Sequence, residues 1–137
     1  MIILDTNILS EILKGTVNPG VAAWFESQSE TALFLTNVSQ AELWVGVRLL
    51  TPGKRRDILA AAIDGMIADF GGRILPFDGA AADHYADIMV ARRAAGRPIS
   101  QFDCQIAAIT RSRGARLATR DVADFEGTGL ELINPFR

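Results

Sequence analysis

The sequence predicts an α/β fold, a mostly parallel central sheet flanked by helices. Two observations carry that prediction. Short, wholly apolar runs alternate with longer stretches of helical pattern along the chain. The first apolar run, Ile2-Ile3-Leu4, also lacks the in–out alternation of a strand with one wet face. It is therefore expected to be buried on both sides, as in a parallel sheet.

The elements follow in order. Ile2-Ile3-Leu4, bounded by polar Asp5-Thr6-Asn7, reads as the first strand. Helical patterns occupy about 7–14 and about 19–28, the second with Pro19 at an acceptable first-turn position. Leu33-Phe34-Leu35 reads as the second strand, and Ser39 to Leu50 as a helix stopped by Thr51-Pro52-Gly53. A long helix at about 54–70 closes on Gly71-Gly72, and Arg73-Ile74-Leu75-Pro76 supplies a brief strand. Asp78 is positioned to cap a helix running to about Ala95, ended by Gly96-Arg97-Pro98. Ser100 to Arg113 is a further helix, with Gly114 as its stop. Arg116-Leu117-Ala118-Thr119 and the shorter signal Leu130-Glu131-Leu132-Ile133 complete the strands. No repeat, linker or low-complexity tract interrupts the pattern, so residues 1–137 are expected to form a single domain.

Composition excludes several classes. Hydrophobic residues make up 49% and charged residues 22%, which is globular rather than disordered. One cysteine, Cys104, excludes an internal disulfide framework and favours a reducing, cytoplasmic setting. No apolar run approaches the ~18 residues of a membrane span, and the opening Met1-Ile2-Ile3-Leu4-Asp5 carries no basic leader. The net charge of −2 conceals a segregation. Between Arg92 and Arg120 the chain holds seven arginines against one acid, Asp103, for a local charge of +6. Such a stretch is either a set of solvated helix faces or a surface for nucleic acid.

In an open α/β sheet, ligands bind beyond the carboxyl ends of the strands. Acids stand at those places. Asp5 follows the first strand, Glu42 lies at the start of the helix after the second, and Asp121 and Asp124 follow the strand ending at Thr119. Asp103 lies in the first turn of the helix before that strand. Carboxylates gathered in one crevice repel each other unless a cation neutralises them, and an all-oxygen set selects Mg²⁺ or Mn²⁺. Each acid also has a structural reading. Ser39-Gln40-Ala41-Glu42 and Ser100-Gln101-Phe102-Asp103 both have the form of a capping box. Asp5 or Asn7 could cap the first helix, and Asp121 and Asp124 could be turn residues.

The same residues resemble a known family, the PIN-domain ribonucleases, and within it the VapC-type toxins of toxin–antitoxin pairs, FitB-like branch. The resemblance rests on Asp5-Thr6-Asn7, on Ala41-Glu42-Leu43 with Gly46 and Leu50, and on Arg73 to Asp78. It continues through Asp103 with Ile106-Ala107-Ala108, Ala118-Thr119-Arg120-Asp121 with Asp124-Phe125, and Asn134-Pro135-Phe136. It implies a PIN-like three-layer sandwich, often a homodimer, that cleaves RNA with Mg²⁺ or Mn²⁺. It further implies a cognate antitoxin that covers the cleft. Asp5, Glu42, Asp103 and Asp121 match the family's acidic metal positions. Asp124 matches a nearby acid acting through water, and Asn7 and Thr119 match polar residues that orient the site.

Arg93, Arg97 and Arg113 are the expected RNA contacts, with an acidic partner as their alternative use. His84, mid-helix beside Asp83 and Asp87, reads as solvated, and Cys104 as a small apolar filler. Two rivals share the fold class. A receiver-like signalling module needs a lysine late in the chain, yet the only lysines are Lys14 and Lys54. A haloacid-dehalogenase-like phosphatase needs Asp-x-Asp after the first strand, where this chain has Asn7. A PIN domain that only binds RNA or protein is the remaining alternative, and the four intact acids weigh against it.

Overall fold

The computed structural model describes residues 1–137. The chain runs β1 (Ile2–Leu4), α1 (Thr6–Ile12), α2 (Pro19–Ser27), β2 (Leu33–Thr36), α3 (Asn37–Arg48), α4 (Lys54–Asp69), β3 (Ile74–Leu75), α5 (Gly79–Ala94), α6 (Gln101–Ser112), β4 (Arg116–Ala118) and β5 (Leu132–Ile133). Short 3-10 turns at Glu30–Ala32 and Val122–Phe125 precede β2 and follow β4. The sheet has the order β3-β2-β1-β4-β5, and every pair is parallel.

Strands of two to four residues make few ladder bonds, so burial from both faces has to hold them. Along β1, Ile3 enters one core with α5 and α6, through Ile88, Ile106 and Ile109. Its neighbours Ile2 and Leu4 enter the opposite core with α1, α3 and α4, through Leu9, Leu43 and Ile63. All three strand residues are at most 2% exposed. Each such side chain contributes ~1.5–3 kcal/mol relative to leaving it in water. Leu117 and Ala118 of β4 divide between the same two cores. The result is the three-layer sandwich expected from the apolar runs.

The punctuation behaves as predicted at several places. Asp78 Oδ1 accepts from the Ala81 N–H and caps α5. Gly96 and Gly114, with φ of +70° and +61°, end α5 and α6 in the left-handed conformation that glycine adopts without a Cβ clash. One boundary differs. The third helix begins at Asn37 rather than Ser39, because Thr36 Oγ1 accepts from the Ser39 N–H and is the actual cap. Ser39 is therefore a buried residue inside α3, and the first of the two capping boxes does not form.

His84 corrects another expectation. It is half-buried, and its Nδ1 is shut off from solvent with no hydrogen-bond partner. No helix is long and apolar enough to cross a membrane.

Candidate functional site

The strand order places β1 between β2 and β4, so the crossover direction reverses beside β1. Crevices in open sheets lie at such a reversal, off the carboxyl ends of the strands. A cleft of about 390 Å³ opens there, lined by ten residues, none of them hydrophobic. Asp5, Glu42, Asp103 and Asp121 all line it, as do Asn7 and Thr6. These four acids come from four separate segments, up to 116 positions apart in sequence. They do not close into a ligating cluster of three or more side chains.

Each acid is positioned by a different device. Asp5 is the N-cap of α1 and is 5% exposed. Its Oδ1 accepts from the Thr6 N–H at 2.8 Å, and its Oδ2 accepts from the Thr119 hydroxyl at 2.8 Å. Thr119 is fully buried, and its Oγ1 also accepts from the Asp121 N–H at 3.1 Å and from Asn7 Nδ2 at 3.4 Å. Asn7 donates to Asp121 Oδ2 at 3.1 Å and accepts from the Arg120 N–H at 3.3 Å. Asn7 is thus a tie between the ends of β1 and β4 rather than a helix cap. Glu42 sits in the second turn of α3, and its Oε1 accepts from the Thr6 hydroxyl at 2.7 Å. That hydroxyl also contacts Ser39 Oγ at 2.8 Å. Asp103 lies in the first turn of α6, where Ser100 Oγ accepts from its N–H at 3.2 Å. The Ser100 half of that capping box forms.

Electrostatics mark the acids as a group. Burial pushes the Asp5 carboxyl up to about 6, against the hydrogen bonds from Thr119 and Thr6, with repulsion from Asp103 and Glu42 adding to the rise. Glu42 is raised by burial and by Asp103, while the Thr6 hydrogen bond opposes the rise. Asp103 is raised chiefly by burial, then by Asp124 and Asp121, and opposed by its Ser100 hydrogen bond and by Arg92. Asp124, in the 3-10 turn after Asp121, is near enough to act on Asp103 but does not line the cleft.

The arginine segment divides. Arg92 is buried, with its Nε donating to Arg97 O at 2.6 Å and its Nη1 to Asp124 O and Glu126 O at 2.8 Å. It ties the turn that follows β4 to the end of α5. Arg97 pairs with Glu126 at 3.3 Å, and Arg113 with Asp78 at 3.8 Å. Arg93 is exposed in the last turn of α5. None of Arg93, Arg97 and Arg113 lines the cleft, whereas Arg120 does. Sequence reasoning gave no individual role to five cleft residues: Thr6, Ser10, Glu11, Lys14 and Arg120. Thr6 and Arg120 lie inside the quoted motifs, beside Asp5 and Asp121, and that adjacency was the available signal.

The fold agrees with what comparison finds. Residues 2–128 match the PIN domain family. The chain is 39% identical over 137 residues to the VapC ribonuclease Y4jK of Sinorhizobium fredii, covering 99% of this chain and 98% of that protein. It is 37% identical over 137 residues to the toxin FitB of Neisseria gonorrhoeae, covering 99% of each. The solved structure of FitAB bound to an IR36 DNA fragment superposes with a TM-score of 0.94 at 36% identity, over 100% of this chain and 96% of that one. The chain belongs to the PIN-domain family, in the branch that holds the VapC and FitB toxins.

Proposed function

We propose that this chain is the ribonuclease toxin of a toxin–antitoxin pair, and that Asp5, Glu42, Asp103 and Asp121 hold Mg²⁺ or Mn²⁺ for hydrolysis of RNA. The observation that carries the reading is one cleft, lined by no hydrophobic residue, onto which four separate chain segments deliver carboxylates. The donor set fits the ion, since it offers oxygen and neither thiol nor imidazole. A divalent ion bound there would lower the pKa of a water and shield charge on the scissile phosphate.

The chain's own residues set up that chemistry. Thr119 and the Thr6 N–H fix both oxygens of Asp5, and the Thr6 hydroxyl fixes Glu42. Asn7 turns Asp121 toward the end of β1. Asp124 acts from outside the cleft, on Asp103 or through water.

A neighbouring groove of about 530 Å³ shares Thr6, Ser10, Lys14 and Glu42 with the acid cleft and continues over apolar Leu43, Leu59 and Ile63. It suits an antitoxin segment with an apolar face and a basic residue reaching the acids. The similarity to a toxin solved as FitAB supports that partner.

The test is cleavage of a labelled RNA by the purified chain. EDTA is expected to abolish cleavage, with Mg²⁺ or Mn²⁺ restoring it. Cleavage that continues in EDTA would leave the acids without their proposed role.

A further inference from the structure

We propose that Arg120 and Lys14 form the phosphate-holding arm of the cleft, gripping the RNA backbone beside the bond that is cut. The inference rests on the ribonuclease reading and says which cations meet the substrate. Two cations stand among the ten cleft residues, Lys14 and Arg120. Arg120 is the one member of the arginine segment found there, and it forms no ion pair. It is nevertheless held. Its N–H donates to Asn7 Oδ1, and its guanidinium lies 4.8 Å from the centroid of the Phe136 ring. Stacking occupies the face of the guanidinium and leaves the in-plane N–H donors free, which is the geometry that meets phosphate oxygens.

Glu11 explains the placement of Lys14. It is a fifth acid on the cleft, but both of its oxygens are committed. Oε1 accepts from Lys14 Nζ at 3.1 Å, and Oε2 accepts from the Asn18 N–H at 3.3 Å. The Lys14 hydrogen bond leads in holding its carboxyl below the usual range, and Arg120 adds to the effect. Glu11 is therefore a buried anchor for cations, unlike the three acids whose pKa values are raised. The Lys14 side chain is 58% exposed, so its ammonium keeps donors for a second partner. The cleft thus has an acidic quartet and, around Glu11, a pair of cations. A polyanion crossing it meets charge of the right sign beside the acids.

The experiment measures binding of a labelled single-stranded RNA in the cleavage-impaired Asp5→Asn protein, across a KCl series. Each phosphate contact adds about 0.7 to the salt slope for a single strand. Arg120→Gln is expected to lower the slope by about 0.7, and added Lys14→Gln by about as much again. Phe136→Leu keeps the charge but frees the guanidinium, so it weakens binding and leaves the slope unchanged. With Asp5 intact, Arg120→Gln raises KM, largely spares kcat and leaves Mn²⁺ affinity as it was. An unchanged slope in folded Arg120→Gln overturns the proposal. So does a slope lost only in the Arg93→Gln, Arg97→Gln, Arg113→Gln triple variant. Tighter Mn²⁺ binding with unchanged RNA affinity would make Arg120 a counter-ion of the acids, which also overturns it. If the Asp5→Asn protein and its parent both fail to bind any RNA, the ribonuclease reading fails first.

Discussion

Asp5→Asn lowers RNA cleavage by at least ~10²-fold, the scale of losing a key electrostatic group, and leaves the metal-free protein no less stable than its parent. Asn keeps the shape and still caps α1, because its Oδ1 can accept from the Thr6 N–H as Asp5 does. It removes a charge that is almost fully buried and faces Asp103 and Glu42. The carboxyl ionises at about 6 in the folded chain against 3.8 in its absence of structure. Between those values the folded state binds more protons than the unfolded one. This group's contribution is therefore complete below about pH 4 and is lost as pH rises through about 6. Above that window the charged form costs about 3 kcal/mol, part of which Asn returns while forfeiting the Thr119 hydrogen bond. Thermal melts in EDTA are expected to show a rise of a few degrees at pH 7.5 and a flatter profile from pH 4 to 6. A fall of many degrees would make Asp5 a structural residue.

Arg92→Met has the largest expected effect on stability. The guanidinium is buried and satisfies three carbonyls, those of Arg97, Asp124 and Glu126, and forms no ion pair at contact distance. Methionine fills the space but donates nothing. Leaving buried acceptors unpaired costs ~1–3 kcal/mol each, reduced where water can reach them. A loss of about 2–4 kcal/mol follows, or a fall in Tm on the order of 10 °C. The turn carrying Asp124 should loosen with it, so cleavage falls even at temperatures where the chain stays folded. A Tm within about 2 °C of the parent would mean the three carbonyls are served by solvent.

The layers were legible because the strands are short, mainly apolar runs bounded by polar or turn residues, such as Asp5 after β1 and Pro76 after β3. Ile2-Ile3-Leu4 has no polar position, and both of its faces are indeed covered. The acids were legible as strand-end residues, although their meeting depended on the crossover beside β1, which no local pattern encodes. The fine structure of the site was not legible. Glu42 fits a local capping box with Ser39, yet its partner is Thr6, 36 positions away, because Thr36 had already capped the helix. The arginines looked like one basic surface. Seen in three dimensions, Arg92 is interior, Arg97 and Arg113 face acids, and Arg120 turns into the cleft. Charge counts along a chain do not distinguish these fates, since each depends on which returning segment lies against the side chain.

The chemistry of the cut ends tests the account most directly. Ribonucleases that use a base and an acid drive the RNA's own 2′-OH onto the phosphate, and histidines near neutrality usually serve that route. The one histidine here, His84, lies on α5 and is not among the residues lining the cleft. Attack by an external water needs no 2′-OH, so the account predicts 5′-phosphate and 3′-hydroxyl ends from a Mg²⁺ or Mn²⁺ reaction, read by end-labelling with and without phosphatase. Cyclic or 3′-phosphate ends would contradict it.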